Sequence, residues 1–393
     1  MRSPNWSSSV LAADLPKLSI YLHWPFCSAI CPYCDFNVHP MRALQIDAWR
    51  KAYRDELRYA ASQRPDGPVH TVFFGGGTPS LMPPDLVAEI LAEIDALWGL
   101  AADAEISLEA NPVSAAYQQL SALSGAGITR LSLGVQSLDD AALKFLGRTH
   151  RANDALEAYA AAREIFDFVS LDLIYARPDQ SLAAWRDELE RVLALQPDHV
   201  SLYQLTIEPD TPFHRLYAAG RFEVPAEDSA ADLYELTQTL CAEAGLPAYE
   251  VSNHARPGHA CRHNVGSWQG HDYLGIGPGA HGRLSDAHGR RATIATPAPQ
   301  QWLQQVDAQG HGWAEDNRLD EVETQAEALM LGLRLVEGVA KQRLSQLGLQ
   351  LDDGQNDKLA GLQEAGLIQL TPSHLVATPQ GRLVLDHIIA ELL

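Results

Sequence analysis

Six times within residues 1–210 the chain repeats one pattern. A short apolar run rich in β-branched and aromatic residues comes first, then residues with unusual chemistry, then a helical stretch. The runs are SIYLHW (19–24), TVFFGGG (71–77), EISLEANP (105–112), RLSLGVQS (130–137), VSLDLIYARP (169–178) and HVSLYQLTIEP (199–209). The clearest intervening helix, PPDLVAEILAEIDALW (83–98), sets Leu86, Val87, Ile90, Leu91, Ile94 and Leu97 on one face at a period near 3.6. Pro83 and Pro84 suit its start, and Asp85 and Glu89 favour its N-terminal end. Strand–helix units in succession imply a parallel sheet, because parallel strands need crossovers. The nearly continuous apolar runs are those of strands buried on both faces. Six units are fewer than a closed eightfold barrel needs, so the expected α/β core is an open, partial (β/α)6 barrel. Such folds collect their chemistry at the carboxyl ends of the strands. There lie the cysteines, a triple glycine, Glu109, Gln136, Asp172 and Gln204.

After residue 210 the pattern changes. Residues 226–245 read as a helix ended by Gly245, and 259–282 (HACRHNVGSWQGHDYLGIGPGAHG) are rich in Gly and His with little helical periodicity. Residues from 320 onward read as helix, short hairpin, helix, a winged-helix-like α+β unit. Three regions are therefore expected: 1–210 as the barrel core, 211–315 as its extension and 316–393 as a small C-terminal domain. Winged helices often bind DNA, but residues 315–393 carry 13 acidic and 6 basic side chains, which favours a lid or docking role. The whole chain, with a net charge of −21, is a poor partner for nucleic acid or an anionic membrane. It has no apolar run of membrane-spanning length, and MRSPNWSSSVLAADLPKLS does not read as a secretory signal. The expected location is the cytoplasm, where thiols stay reduced.

Three of the five cysteines, Cys27, Cys31 and Cys34, crowd into HWPFCSAICPYCDF (23–36) in a C-x3-C-x2-C spacing. Flanked by proline and aromatics, they are not placed like core fillers. A structural zinc site wants four closed ligands, and His23 or His39 would have to complete the set. A [4Fe–4S] cluster normally has four cysteine ligands. Held by three, it keeps one iron open to an exogenous ligand. Gly75, Gly76 and Gly77 either form a tight turn or let backbone approach a ligand, with Thr78 adding a hydroxyl. Glu109 and Asp172 follow apolar runs, so each either finds a cation or lies at the surface.

C-x3-C-x2-C after a Y-x-H-x-P-F strand resembles the radical S-adenosylmethionine (radical SAM) superfamily. GGGTPS (75–80), LEANP (108–112), LSLGVQS (131–137), LGRTH (146–150) and DLIYARP (172–178) resemble its later strand-end motifs, in order. The resemblance narrows to the oxygen-independent coproporphyrinogen III oxidase-like branch. It implies that Cys27, Cys31 and Cys34 hold the cluster, whose open iron takes the amino and carboxylate groups of SAM. It also implies that Tyr21, Tyr33, Gly76, Gly77, Thr78, Glu109, Gln136, Arg148 and Asp172 surround SAM. Two functions compete. One is the oxidase, or another radical SAM enzyme of porphyrin metabolism. The other is a haem chaperone of the HemW group, which binds haem and passes it to an acceptor protein. Three features favour the chaperone. Phe36 stands where the oxidases carry a further cysteine. Only 26 residues precede Cys27. HNVGSW (263–268) resembles the H-N-x-x-Y-W haem-associated motif of that group. His263 and Trp268 are then the implied haem contacts, with Ser267 in place of the family tyrosine. His254, His259, His271, His281 and Cys261 are candidate substitutes for His263. The covalent attachment spacing C-x-x-C-H is absent.

Overall fold

The computed structural model describes residues 17–42, 44–64, 66–349 and 357–393; most of the N-terminal stretch read for a signal lies outside the described residues. The six apolar runs form strands β1 (Leu18–Trp24), β2 (Val69–Gly76), β3 (Leu100–Ala110), β4 (Arg130–Gln136), β5 (Phe168–Tyr175) and β6 (His199–Gln204). Each pairs in parallel with the next, in chain order. Apolar residues meet across neighbouring strands, as in Leu22 with Phe74, Phe74 with Leu108 and Leu133 with Leu171. The crossovers carry α1 (Ile46–Gln63), α2 (Pro84–Trp98), α3 (Tyr117–Gly125), α4 (Ala152–Ile165) and α5 (Leu182–Ala194). α2 starts where its prolines place it and buries Leu86, Val87, Ile90, Leu91 and Ile94; Gly99, at φ 75°, ends it. These faces join one continuous core with both sides of the sheet.

The sheet does not stop at six strands. β7 (Asn253–Ala255) adds antiparallel to β6 after helix α6 (Glu227–Glu243). On the other edge β8 (Asp272–Ile276) runs parallel to β1, and β9 (His281–Asp286), β10 (Gly289–Ala295) and β11 (Trp313–Arg318) continue antiparallel, giving eleven strands among the described residues. The Gly- and His-rich segment thus holds a short helix, α7 (Arg262–Trp268), and two strands. Its glycines conceal strands because they permit close crossings: a Cβ on Gly275 would lie 2.1 Å from the His281 carbonyl oxygen. The extension is pinned to α1 by Glu56, fully buried, which accepts N–H bonds from Gly277 (2.7 Å), Gly312 (2.8 Å) and the Trp302 indole (3.1 Å).

After α8 (Pro299–Gln309) and β11, helix α9 (Glu321–Gly332) opens on an Asp320–Glu323 capping box. It leads into β12 (Val339–Ala340), α10 (Lys341–Gln346), α11 (Asp357–Glu364), β13 (Ile368–Leu370), β14 (His374–Ala377), α12 (Pro379–Leu383) and α13 (Leu385–Leu392). The three strands form an antiparallel sheet of order β12-β14-β13. Leu329, Leu333, Leu344, Leu362, Leu375 and Ile388 give this unit a core of its own, the winged-helix-like arrangement expected. No helix among the described residues is long and apolar enough to cross a membrane.

Candidate functional site

The carboxyl ends of β1 to β6 open into one cavity of about 1020 Å³, and every residue predicted for the site lines it. The cysteine loop leaves β1 and is tied down at once: Gly77 N–H donates to the Trp24 carbonyl (2.7 Å) and Thr78 N–H to that of Phe26 (2.9 Å). A Cβ on Gly77 would lie 2.7 Å from the Phe26 carbonyl oxygen, and one on Gly76 would lie 2.6 Å from the His23 ring. The triple glycine therefore first makes room for the cysteine loop and His23. The LGRTH motif supports the loop from the other side. Gly147, at φ 70°, would put a Cβ 2.5 Å from Pro32. Arg148 donates to the Gly134 carbonyl (2.9 Å) and approaches the Cys31 sulfur (3.4 Å), while its buried Nε–H has no partner.

All three thiols are free. Burial raises the pKa of Cys27 and pushes that of Cys34 up to about 11. The imidazoles that a zinc site would need are engaged elsewhere. His23 contacts the Asn37 carbonyl (2.8 Å) and the Tyr21 hydroxyl (3.1 Å), and His39 contacts the Asn37 side chain (3.3 Å). Among the described residues no three His, Cys, Asp or Glu side chains converge tightly enough to hold one metal ion.

Across the cavity sit two half-buried carboxyls. Glu109 accepts the Gly76 N–H (3.0 Å), and burial, then the neighbouring Asp172, push its pKa up from the ordinary 4.5 to about 8. Burial likewise raises Asp172, against the hydroxyls of Ser132 (2.7 Å) and Ser170 (3.1 Å), which donate to it. Gln136 ends β4 with φ 65°, a left-handed conformation uncommon for a residue with a side chain.

The third wall is α7. Glu105 fixes its start by accepting the N–H groups of Arg262 (2.9 Å) and His263 (3.3 Å), and is itself paired with buried Arg130 (3.4 Å). His263 is buried, its Nδ1 bonded to the Thr71 hydroxyl (2.8 Å) and its ring 5.0 Å from that of Phe73. Burial holds this imidazole's pKa down to about 4, so it is neutral at physiological pH. Trp268 carries the Arg334 guanidinium 4.5 Å above its ring, and its buried indole N–H has no partner. Cys261 donates its thiol to Glu105 (3.5 Å), and burial pushes its pKa up to about 12.

A family model for the radical SAM superfamily matches residues 21–192, and one for the HemN C-terminal domain matches 319–384. The chain is 40% identical to the mitochondrial radical S-adenosyl methionine domain-containing protein 1 of Bos taurus, over 96% of this chain and 87% of that one. It is 32% identical to the haem chaperone HemW of Bacillus subtilis, over 95% of this chain and 99% of that one. The HemW of Synechocystis is 41% identical over 84% of this chain and 81% of its own. This chain belongs to the HemW-like radical SAM family. Coproporphyrinogen III oxidase (HemN) of Escherichia coli, a radical SAM enzyme, shares the fold: TM-score 0.79 at 24% identity, over 96% of this chain and 90% of that one.

Membership in the HemW-like family implies a [4Fe–4S] cluster and SAM, and the donor set fits both. Three free thiols without convergence on a point suit a cluster, in which each thiolate meets its own iron. Two half-buried acids, neither within ion-pair distance of a cation among the described residues, suit a ligand bearing an ammonium and ribose hydroxyls. The substitutes considered for His263 are a different matter. His254, His259, His271 and His281 do not line the cavity, because strands and loops of the extension turn them elsewhere; Cys261 does line it. Sequence reasoning missed four serines, Ser107, Ser132, Ser170 and Ser201, which line the cavity from four strands. Their signal was a repeated Ser-Leu pair in β3, β4, β5 and β6. It also missed His199, which joins Ser170 (2.7 Å) to Tyr249 (2.9 Å), and Thr71.

Proposed function

We propose that this protein is a haem chaperone on a radical SAM scaffold, binding haem and passing it to an acceptor protein. The observation that carries the reading is the single cavity shared by the cysteine loop and the His263–Trp268 helix, in a chain 32–41% identical to proteins named as haem chaperones. Cys27, Cys31 and Cys34 hold the cluster, which when bound offers one open iron position. The cavity wall formed by Tyr21, Tyr33, Gly76, Gly77, Thr78, Glu109, Gln136, Arg148 and Asp172 receives SAM. Glu109 and Asp172 take its ammonium and hydroxyl donors, and the spare Nε–H of Arg148 is available to its carboxylate. His263 is the haem contact. Thr71 holds its ring at Nδ1; in the tautomer whose Nδ1–H donates to the Thr71 hydroxyl, Nε2 is free for iron, and the low pKa keeps the ring neutral. Trp268 supplies an apolar ring, backed by Arg334.

The competing reading is propionate decarboxylation of coproporphyrinogen, suggested by the fold shared with HemN. One pair of assays separates the two. Anaerobically purified protein titrated with haem develops a saturable Soret band, and the same sample releases no carbon dioxide from coproporphyrinogen with SAM and reductant. Carbon dioxide release without haem uptake would sink the chaperone reading.

A further inference from the structure

The cavity wall continues past the barrel onto the C-terminal unit, through Leu331 of α9 and Arg382 and Leu383 of α12. Arg382 comes beside Tyr234 of α6, which also lines the cavity. Tyr234 is only 8% exposed, and its buried hydroxyl has the Arg382 side chain as its polar neighbour. A guanidinium can only donate to the phenol oxygen, so the O–H remains free for an acceptor that enters the cavity. Three arginines line the cavity, and two are committed: Arg130 to Glu105, Arg148 to the Gly134 carbonyl and Cys31. The buried acid nearby, Glu250, is already matched by Arg334 at 3.2 Å. Among the described residues no carboxylate lies within ion-pair distance of Arg382, although Asp and Glu outnumber Lys and Arg by 50 to 29 along the chain.

A guanidinium with no carboxylate partner among the described residues, beside a buried phenol whose O–H can still donate, both on a cavity wall, is a receptor for a carboxylate. We propose that Arg382 and Tyr234 bind a propionate of the haem, so that the C-terminal unit holds one edge of a ligand whose iron is contacted from α7. This rests on the haem-binding reading above. It gives the acidic chain a local positive site for a dianionic ligand, and it gives the C-terminal unit a part in selecting porphyrins that carry free carboxylates. SAM also has a carboxylate, so the test has an arm for each.

The full chain, with its cluster reconstituted anaerobically, is titrated with haem and with haem dimethyl ester, in which both carboxylates are masked. Wild type should bind the ester roughly tenfold or more weakly than haem, the range of a lost charge-assisted hydrogen bond. Arg382→Ala should weaken haem by a similar factor and leave the ester unchanged. Arg382→Lys should recover part of the loss, and Tyr234→Phe should show a smaller loss. The effect of SAM on the reduced cluster's EPR spectrum should be the same in Arg382→Ala as in wild type. Equal affinity of wild type for haem and ester overturns the proposal, and does so even if the variants fail to fold. Unchanged haem affinity in Arg382→Ala overturns it too, as does loss of the SAM response in place of haem affinity. Wild type that takes up no haem overturns the functional reading itself.

Discussion

Glu109 is where the cavity's electrostatics are most exposed to experiment. Its pKa in the folded protein, about 8, lies above the ordinary 4.5. The native state therefore holds an extra proton between those values. The stability this group contributes is full below 4.5 and is lost as pH rises through about 8. A cationic ligand needs the carboxylate, so SAM uptake below pH 8 must release that proton. SAM affinity should rise with pH and flatten near 8, and Glu109→Gln should flatten it throughout; calorimetry across that range reads both. A wild-type affinity independent of pH would remove Glu109 from the ligand. His263 makes a second residue-scale case. Thr71→Val takes away the bond that orients the imidazole, at a cost of about tenfold or more in haem affinity by the usual weight of such supporting contacts. His263→Ala should in addition change the Soret position. The histidine was legible in HNVGSW, but Thr71 was not, since 192 residues separate the pair and only the packing of α7 on β2 joins them.

At the scale of elements, the six strand–helix units were legible because burial on both faces leaves an unbroken apolar run. The strand-end residues followed from the same rule, and all of them but Gly75 line one cavity. The strands of the extension were not legible. β8 and β9 are threaded by glycines whose role is close crossing, so neither alternation nor an apolar run marks them. The serine ladder was overlooked for a related reason, since small polar residues inside apolar runs read as interruptions rather than as a lining. The glycine motif carries a test of the element picture. Gly77→Ala puts a methyl against the Phe26 main chain, an overpacking of about 1–3 kcal/mol that displaces the cysteine loop. Reconstituted iron should fall well below the wild-type content although no ligand has been touched. Full iron content in this variant would mean that the loop does not depend on the glycine turn.

For the molecule as a whole, one wall carries the cysteine loop, the next two half-buried acids, the third a neutral imidazole on a short helix, and the C-terminal unit lines the rim. In the proposed reading, the sulfur donors take the iron–sulfur cluster, the carboxylates the cationic cofactor and the imidazole the haem iron. Replacing any one of Cys27, Cys31 or Cys34 by Ala should abolish the cluster. His263→Ala should keep it, so the two metal centres are separable although they share a cavity. The most direct measurement counts iron, acid-labile sulfide and haem on one anaerobically reconstituted, haem-loaded sample. The account predicts about four irons and four sulfides per chain from the cluster, with about one haem in addition. Iron and sulfide at that level, with no haem retained after removal of the free ligand, would contradict it.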